Sequence, residues 1–147
     1  MIVERILPAA RKRLITIGDD APLIAAAALL RDLDVDLIVV QNRDGILVGV
    51  ITKTDIVRQI SHCQGASCMA AASAVMTKAI VYCHPGDLLR TVWSLMKDRH
   101  LKNIPVLDRD SRPIGVLNVR DALEALLGEV EYEEDLLREH LMCVGYH

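Results

Sequence analysis

The heptapeptide GVITKTD, residues 49–55, is answered sixty-six positions later by GVLNVRD, residues 115–121. The Gly, the first Val and the closing Asp recur, while Thr52 gives way to Asn118. Sliding the chain on itself by 66 residues aligns 14–60 with 80–126 without a gap. Ten of the 47 pairs are identical, among them Leu23/Leu89, Ile38/Ile104, Gly49/Gly115 and Asp55/Asp121. Typical residue usage gives about three by chance. The chain is therefore a tandem duplication, and each copy must be read as one supersecondary unit that the other completes.

Each copy has the same grammar. A short β-prone run (LITI, 14–17; AIVYC, 79–83) precedes a turn (GDDAP; HPGD). An amphipathic helix is predicted over 22–33 and 86–100, with Pro22 in its first turn, where a missing N–H costs nothing. Leu89, Val92, Trp93 and Met96 keep the spacing of a buried helical stripe. Two strands joined by a tight turn follow, DLIVV–QNRDG–ILVGVI and NIPVL–DRDSR–PIGVL, with Asp44-Gly45 a strong hairpin signal. A second helix opens at Thr52 or Asn118 and runs to about residue 60 or 127. The fold class is α/β (α+β): two β-α-β-β-α motifs, helices on one face of each small sheet, the other faces packed together with pseudo-two-fold symmetry.

This grammar divides the chain into a first motif at 1–62, a linker at 63–75, a second motif at 76–128 and an amphipathic tail at 129–147. The linker is rich in small residues. The tail starts acidic and carries Leu136, Leu137 and Leu141, with Glu134 and Arg138 at helix-supporting spacing. It reads as an appended helix that covers the pair or meets another subunit.

Composition narrows the function. The 147 residues are 52% hydrophobic and 25% charged, a globular balance. With no Phe, one Trp, three Tyr and a net charge of −3, the chain lacks stacking platforms and a basic field. Nucleic acid is excluded as an expected partner. No signal peptide or membrane span is legible, so the expectation is a cytoplasmic protein without membrane contact. Cys63, Cys68, Cys83 and Cys143 form no CxxC pair and read as free thiols.

The heptapeptides admit two readings. Thr52 with Asp55 three residues on is a capping box, and Asn118 is an equally good N-cap. Gly49 and Gly115 lie within strands, where Gly marks close backbone approach. The same geometry also suits a ligand: helix N–H groups attract phosphate, and the carboxylate can accept hydrogen bonds from a ribose diol. Two helix starts in a pseudo-symmetric pair would make two clefts fit for adenosine phosphates.

The duplication, MT at 76–77, IVVQNRDGILVGVITKTD at 38–55 and IPVLDRDSRPIGVLNVRD at 104–121 resemble the cystathionine-β-synthase (CBS) domain pair, or Bateman module, over about residues 6–127. The resemblance implies a dimer of sheet-packed CBS pairs that binds an adenosyl ligand (AMP, ADP, ATP, NAD or S-adenosylmethionine) and controls a partner protein. It requires no cofactor and implies no catalysis. The family's Gly-hydrophobic-hydrophobic-Ser/Thr-x-x-Asp pattern is complete in the first copy, placing Thr52 and Asp55 on ribose or phosphate. In the second copy Asn118 replaces the hydroxyl and Asp121 is kept. The segment before Pro105 supplies His100, Lys102, Asn103 and Ile104, against Asp34, Asp36, Leu37 and Ile38 in the first copy. One is cationic and the other anionic, so the clefts are expected to differ. Lys53 and Arg120 are phosphate candidates at the helix starts.

Other constellations are weaker. Cys83-His84 would need a nucleophile and base on opposite faces of a strand. His140, Cys143 and His147 have helical spacing for metal ligands, whereas His62, Cys63 and Cys68 fit no ligand pattern. No effector domain is legible beside the repeats and tail. The expectation is a free-standing regulatory nucleotide-binding module. The alternative is an adaptor of the same fold without ligand, whose surfaces are the helix faces and tail.

Overall fold

The structure is a computed structural model that describes residues 1–33, 35–61 and 70–145, with side chains described as far as Glu139. After a short 3-10 turn (Val3–Ile6), the elements run α1 (Leu7–Lys12), β1 (Thr16–Gly18), α2 (Leu23–Asp32), β2 (Leu37–Gln41), β3 (Leu47–Thr52) and α3 (Lys53–Ser61). Then come α4 (Ala72–Val75), α5 (Leu89–Asp98), β4 (Asn103–Leu107), β5 (Pro113–Asn118) and α6 (Val119–Gly145). One sheet has the order β1-β2-β3, with β1 parallel to β2, and the other is the antiparallel pair β4-β5.

Strand periodicity sorts the core into three clusters. Ile38, Val40 and Ile51 face the first motif's helices, against Leu23, Ala26 and Leu30. Ile104, Val106 and Leu117 face Leu89, Val92 and Met96 in the second. The alternate residues Leu37, Val39, Val50 and Val116 meet between the two sheets, flanked by Leu14 and Ile80. The sheets thus pack face to face, as the duplication required.

The two hairpins are built alike. Asn42 Oδ1 accepts from the N–H groups of Asp44 and Ile46, and Asp108 Oδ1 accepts from those of Asp110 and Arg112. The following position is left-handed in both, Gly45 at φ 77° and Ser111 at φ 61°.

The copies differ where one residue changed the backbone's donors. The predicted strand at 79–83 shrinks to a single bridge, Cys83 with Val106. In the first copy Val39 N–H donates to the Ile15 carbonyl at 2.9 Å. Its counterpart is Pro105, which has no N–H to give, so the parallel pairing fails one step earlier. Pro22 stands at the N-cap of α2 in extended conformation (φ −70°, ψ 148°) rather than in the first turn. The tail is no separate helix: α6 passes through Gly128 without a break. A glycine there costs about 1 kcal/mol of propensity, which flanking Ala, Leu and Glu residues offset. Residues 63–69 of the expected linker lie outside the described residues, and its end folds as α4.

The segments before the repeats tie the halves together. Val3, Leu7 and Ala10 are buried in the second motif's core, although they belong in sequence to the first. Ala72 and Met76 pack likewise on the first motif's core. Each crossing segment presses on a glycine. A Cβ on Gly49 would strike the Met76 side chain, and one on Gly115 would lie 2.9 Å from Ala10 Cβ and 3.1 Å from its carbonyl carbon. Ala10 and Met76 are themselves 66 residues apart, so the pseudo-symmetry extends to these contacts.

Gly115→Ala should destabilise by about 1–3 kcal/mol, since a rigid backbone blocks the new methyl. Gly49→Ala should cost less, because the Met76 side chain can move. Urea midpoints at unchanged slope check the order. Ser111→Gly should stabilise by up to about 1 kcal/mol, because left-handed strain of roughly 1–2 kcal/mol exceeds the entropic cost of glycine.

Candidate functional site

The start of α3 is a reciprocal capping box. Thr52 Oγ1 accepts from the Asp55 N–H at 3.3 Å, and Asp55 Oδ2 accepts from the Thr52 N–H at 3.0 Å. Thr52 Oγ1 also donates to Oδ2 at 3.2 Å. Thr77, brought in by the crossing segment, donates to Oδ1 at 3.1 Å and Oδ2 at 3.3 Å. Arg58 adds charge at 3.8 Å from Oδ1. Asp55 is only 7% exposed, the one buried charged residue among those described. Among the described residues its Oδ1 accepts one hydrogen bond, from Thr77, which leaves capacity for a further donor.

This carboxylate borders a cavity of about 540 Å³ between the two motifs. One wall is Asp36, Leu37 and the 52–55 helix start. The second is the segment from Thr77 to Val81, and the third runs from His100 to Pro105. The mouth mixes charges: Lys53 lies 3.4 Å from Asp36, and Lys102 and His100 are exposed beside them. His100 holds a left-handed backbone (φ 56°). Aliphatic Val50, Ile80, Val81 and Ile104 floor the cavity. Its size falls in the range of small-molecule sites, about 300–1,000 Å³.

Of the sequence-derived candidates, Thr52, Lys53, Asp55, Lys102, Asn103 and Ile104 come together here. Ile38 does not. It is fully buried on the helix side of β2, and its neighbour Leu37 lines the cavity. Leu37 and Ile38 point to opposite faces, both apolar, so hydrophobicity alone could not tell them apart. Thr77 and Ala79 were missed. The signal was present in the repeat, which pairs the crossing segment 76–79 with 10–13.

The second helix start is built differently. Asn118 Oδ1 accepts from the N–H groups of Arg120 (2.9 Å) and Asp121 (3.3 Å), so the cap survives. Its Nδ2 donates to Asn103 Oδ1 at 3.0 Å, steadying a residue that lines the first cavity. Asp121 has turned away from the cap to Arg13, with Nε–Oδ2 at 2.6 Å and Nη2–Oδ1 at 3.0 Å. That hydrogen bond, with the charges of Asp121, Glu124 and Asp36, pushes the Arg13 guanidinium above its ordinary value. The cleft beside it, lined by Arg13, Val35, Asp36, Leu37, Asn103 and Val116, holds about 50 Å³, and Asn118 and Asp121 line neither it nor the first cavity. Arg120 is exposed and borders neither cavity.

Cys83 is 1% exposed, and burial, with the Asp87 charge adding, pushes its thiol up to about 12. His84 Nδ1 lies 2.9 Å from the Leu107 carbonyl oxygen, which assigns the ring proton to Nδ1. The pair therefore offers no thiolate at neutral pH. His62, Cys63 and Cys68 lie outside the described residues, as do the side chains of His140, Cys143 and His147. Among the described residues no group of three metal-ligating side chains gathers, and no helix is long and apolar enough to cross a membrane.

Thr52→Ala should cost about 1 kcal/mol by loss of the cap, read from thermal melts. Cys83 should resist alkylation at pH 8 when folded and react in urea, as peptide mapping would show. Since its folded thiol is raised above the unfolded value of about 8.5, its contribution to stability is intact below that pH and fades towards about 12.

Comparison with known proteins agrees with this architecture. A CBS domain-containing protein from Agrobacterium tumefaciens superposes with a TM-score of 0.72 at 24% identity, over 85% of this chain and 98% of that one. The CBS domain pair of protein MJ0100, solved with 5′-methylthioadenosine and S-adenosyl-L-methionine, gives 0.71 at 22% identity, over 88% and 97%. In sequence, the uncharacterized protein MJ1426 of Methanocaldococcus jannaschii is 24% identical, spanning 79% of this chain and 88% of its own. The CBS domain profile matches residues 3–62 and again 72–128, so both copies of the repeat, crossing segments included, make this chain a member of the CBS domain family.

Proposed function

We propose that the first cleft binds an adenosyl ligand and that the chain acts as a regulatory module, without catalysis of its own, on a partner protein. The observation that carries this is the buried Asp55 carboxylate, with accepting capacity on Oδ1, at the edge of a cavity of about 540 Å³. A ribose diol would donate to Asp55. The aliphatic floor suits a purine. A phosphate or a carboxylate arm would find the α3 N–H groups, Lys53, Lys102 and His100 at the mouth. The MJ0100 pair, of the same fold, was solved with two adenosyl compounds, which supports this ligand class.

The experiment is a thermal-shift panel of AMP, ADP, ATP, NAD and S-adenosylmethionine. A ligand at a hundred times its Kd stabilises by about 2.7 kcal/mol, roughly a 5–10 °C rise for a domain of this size. Asp55→Ala should abolish the shift and Asp121→Ala should keep it. No shift of wild type by any compound at millimolar concentration would end this reading.

One observation favours a second reading, an adaptor without ligand. Beyond Gly128, α6 leaves Tyr132 at 65% and Leu137 at 62% exposure. Removing residues 129–147 should then dissolve a dimer or complex that nucleotide leaves untouched, as sedimentation would show.

A further inference from the structure

We infer that Arg13, which lines the second cleft, limits the module to one ligand by occupying the neighbouring Asp121 carboxylate. This rests on the adenosyl reading of the first cleft and asks what decides between two clefts built from one repeat. Asp55 and Asp121 are equivalent, and both head a helix of nine residues or more. Their surroundings diverge most in the crossing segments, where Thr77 bonds Asp55 on one side and Arg13 bonds Asp121 on the other. Where the second cleft has Arg13, the first has Ala79.

The backbone explains how Arg13 arrives. α1 stays helical to Lys12, with Arg13 as its αR C-cap, because Ala9, Ala10, Arg11 and Lys12 are strong helix formers. The matching run Val75-Met76-Thr77 leaves its helix after Val75, and Thr77 instead pairs with Val50 at the edge of β3. The first cleft thus receives a hydroxyl on Asp55 and a methyl at position 79. The second receives a guanidinium that engages both oxygens of Asp121.

A bidentate guanidinium takes the acceptor geometry a ribose diol needs, and the cleft that Arg13 lines holds about 50 Å³ where the sister cleft has about 540 Å³. Any ligand entering must first break a charge-assisted fork. Arg13 is partly exposed, its side chain 44% accessible. The ion pair therefore contributes little to stability and can be removed without unfolding the chain.

Calorimetric titration with AMP, ATP and S-adenosylmethionine, each separately, tests this on wild type, Arg13→Ala, Arg13→Ala/Asp121→Ala and Ala79→Arg, with circular dichroism melts confirming folding. Wild type should bind one ligand per chain. Arg13→Ala should bind two, the second at least tenfold tighter than any second event in wild type and lost again in the double variant. Ala79→Arg should bind none. One ligand in both wild type and Arg13→Ala overturns this inference and leaves the first-cleft reading standing. None in wild type but one in Arg13→Ala overturns that reading and, with it, the limit to one ligand. None in either overturns both.

Discussion

A glycine with a neighbouring segment lying directly on its backbone, made twice, is the constraint that everything else obeys. Gly115 carries Ala10 and Gly49 carries Met76. In each case the segment opens one motif in sequence and packs in space on the other. Only with no Cβ can the chain come this close, and only this close can Leu7 and Ala10, or Ala72, enter the opposite core. The walls of both clefts are continuations of those two segments. Positions 77–81 line one and Arg13 lines the other.

Duplication supplied two equivalent helix starts, and small changes in the crossing segments separated them. A run of good helix formers kept α1 going to residue 12, while β-prone residues ended α4 at Val75. That difference turns the same aspartate inward at one site, to Thr52 and Thr77, and outward at the other, to Arg13. Asn118 in turn has two jobs. Its amide oxygen keeps the cap and its nitrogen holds Asn103, so the second helix start buttresses the first cavity. A threonine hydroxyl could cap but would reach Asn103 less readily, which gives a physical reason for the substitution within the repeat.

Much of this was legible in the sequence because it is local. Capping at Thr52 and Asn118, the hairpin at Asp44-Gly45 and the apolar stripe of α5 all depend on residues within one turn or two. The charges of Lys102 and Asp36 led the sequence to expect unequal clefts; the structure shows cavities of about 540 and 50 Å³, the first lined by Ala79 and the second by Arg13. The illegible parts are non-local. Nothing in VERILPAARKR says that it packs on a motif a hundred residues away. The strand LIVVQ is apolar on both faces, so Ile38 and Leu37 could not be assigned sides. Pro105 lies in a run that reads as a strand, and its missing donor matters only against the geometry of the other copy. Gly128 looked like a boundary, but the propensity of its neighbours on both sides prevailed.

The interleaving also dictates an order of events during synthesis. The first motif remains without Ala72 and Met76 when its own last helix is made, so its core stays open until the chain has passed residue 77. Residues 3–13 wait longer, because the strand they rest on, β5, does not exist until residue 118. The first segment made is therefore among the last placed. A ribosome-bound fragment ending near residue 62 carries two incomplete obligations, one at each end. Closing loops of this span before their contacts can form slows folding.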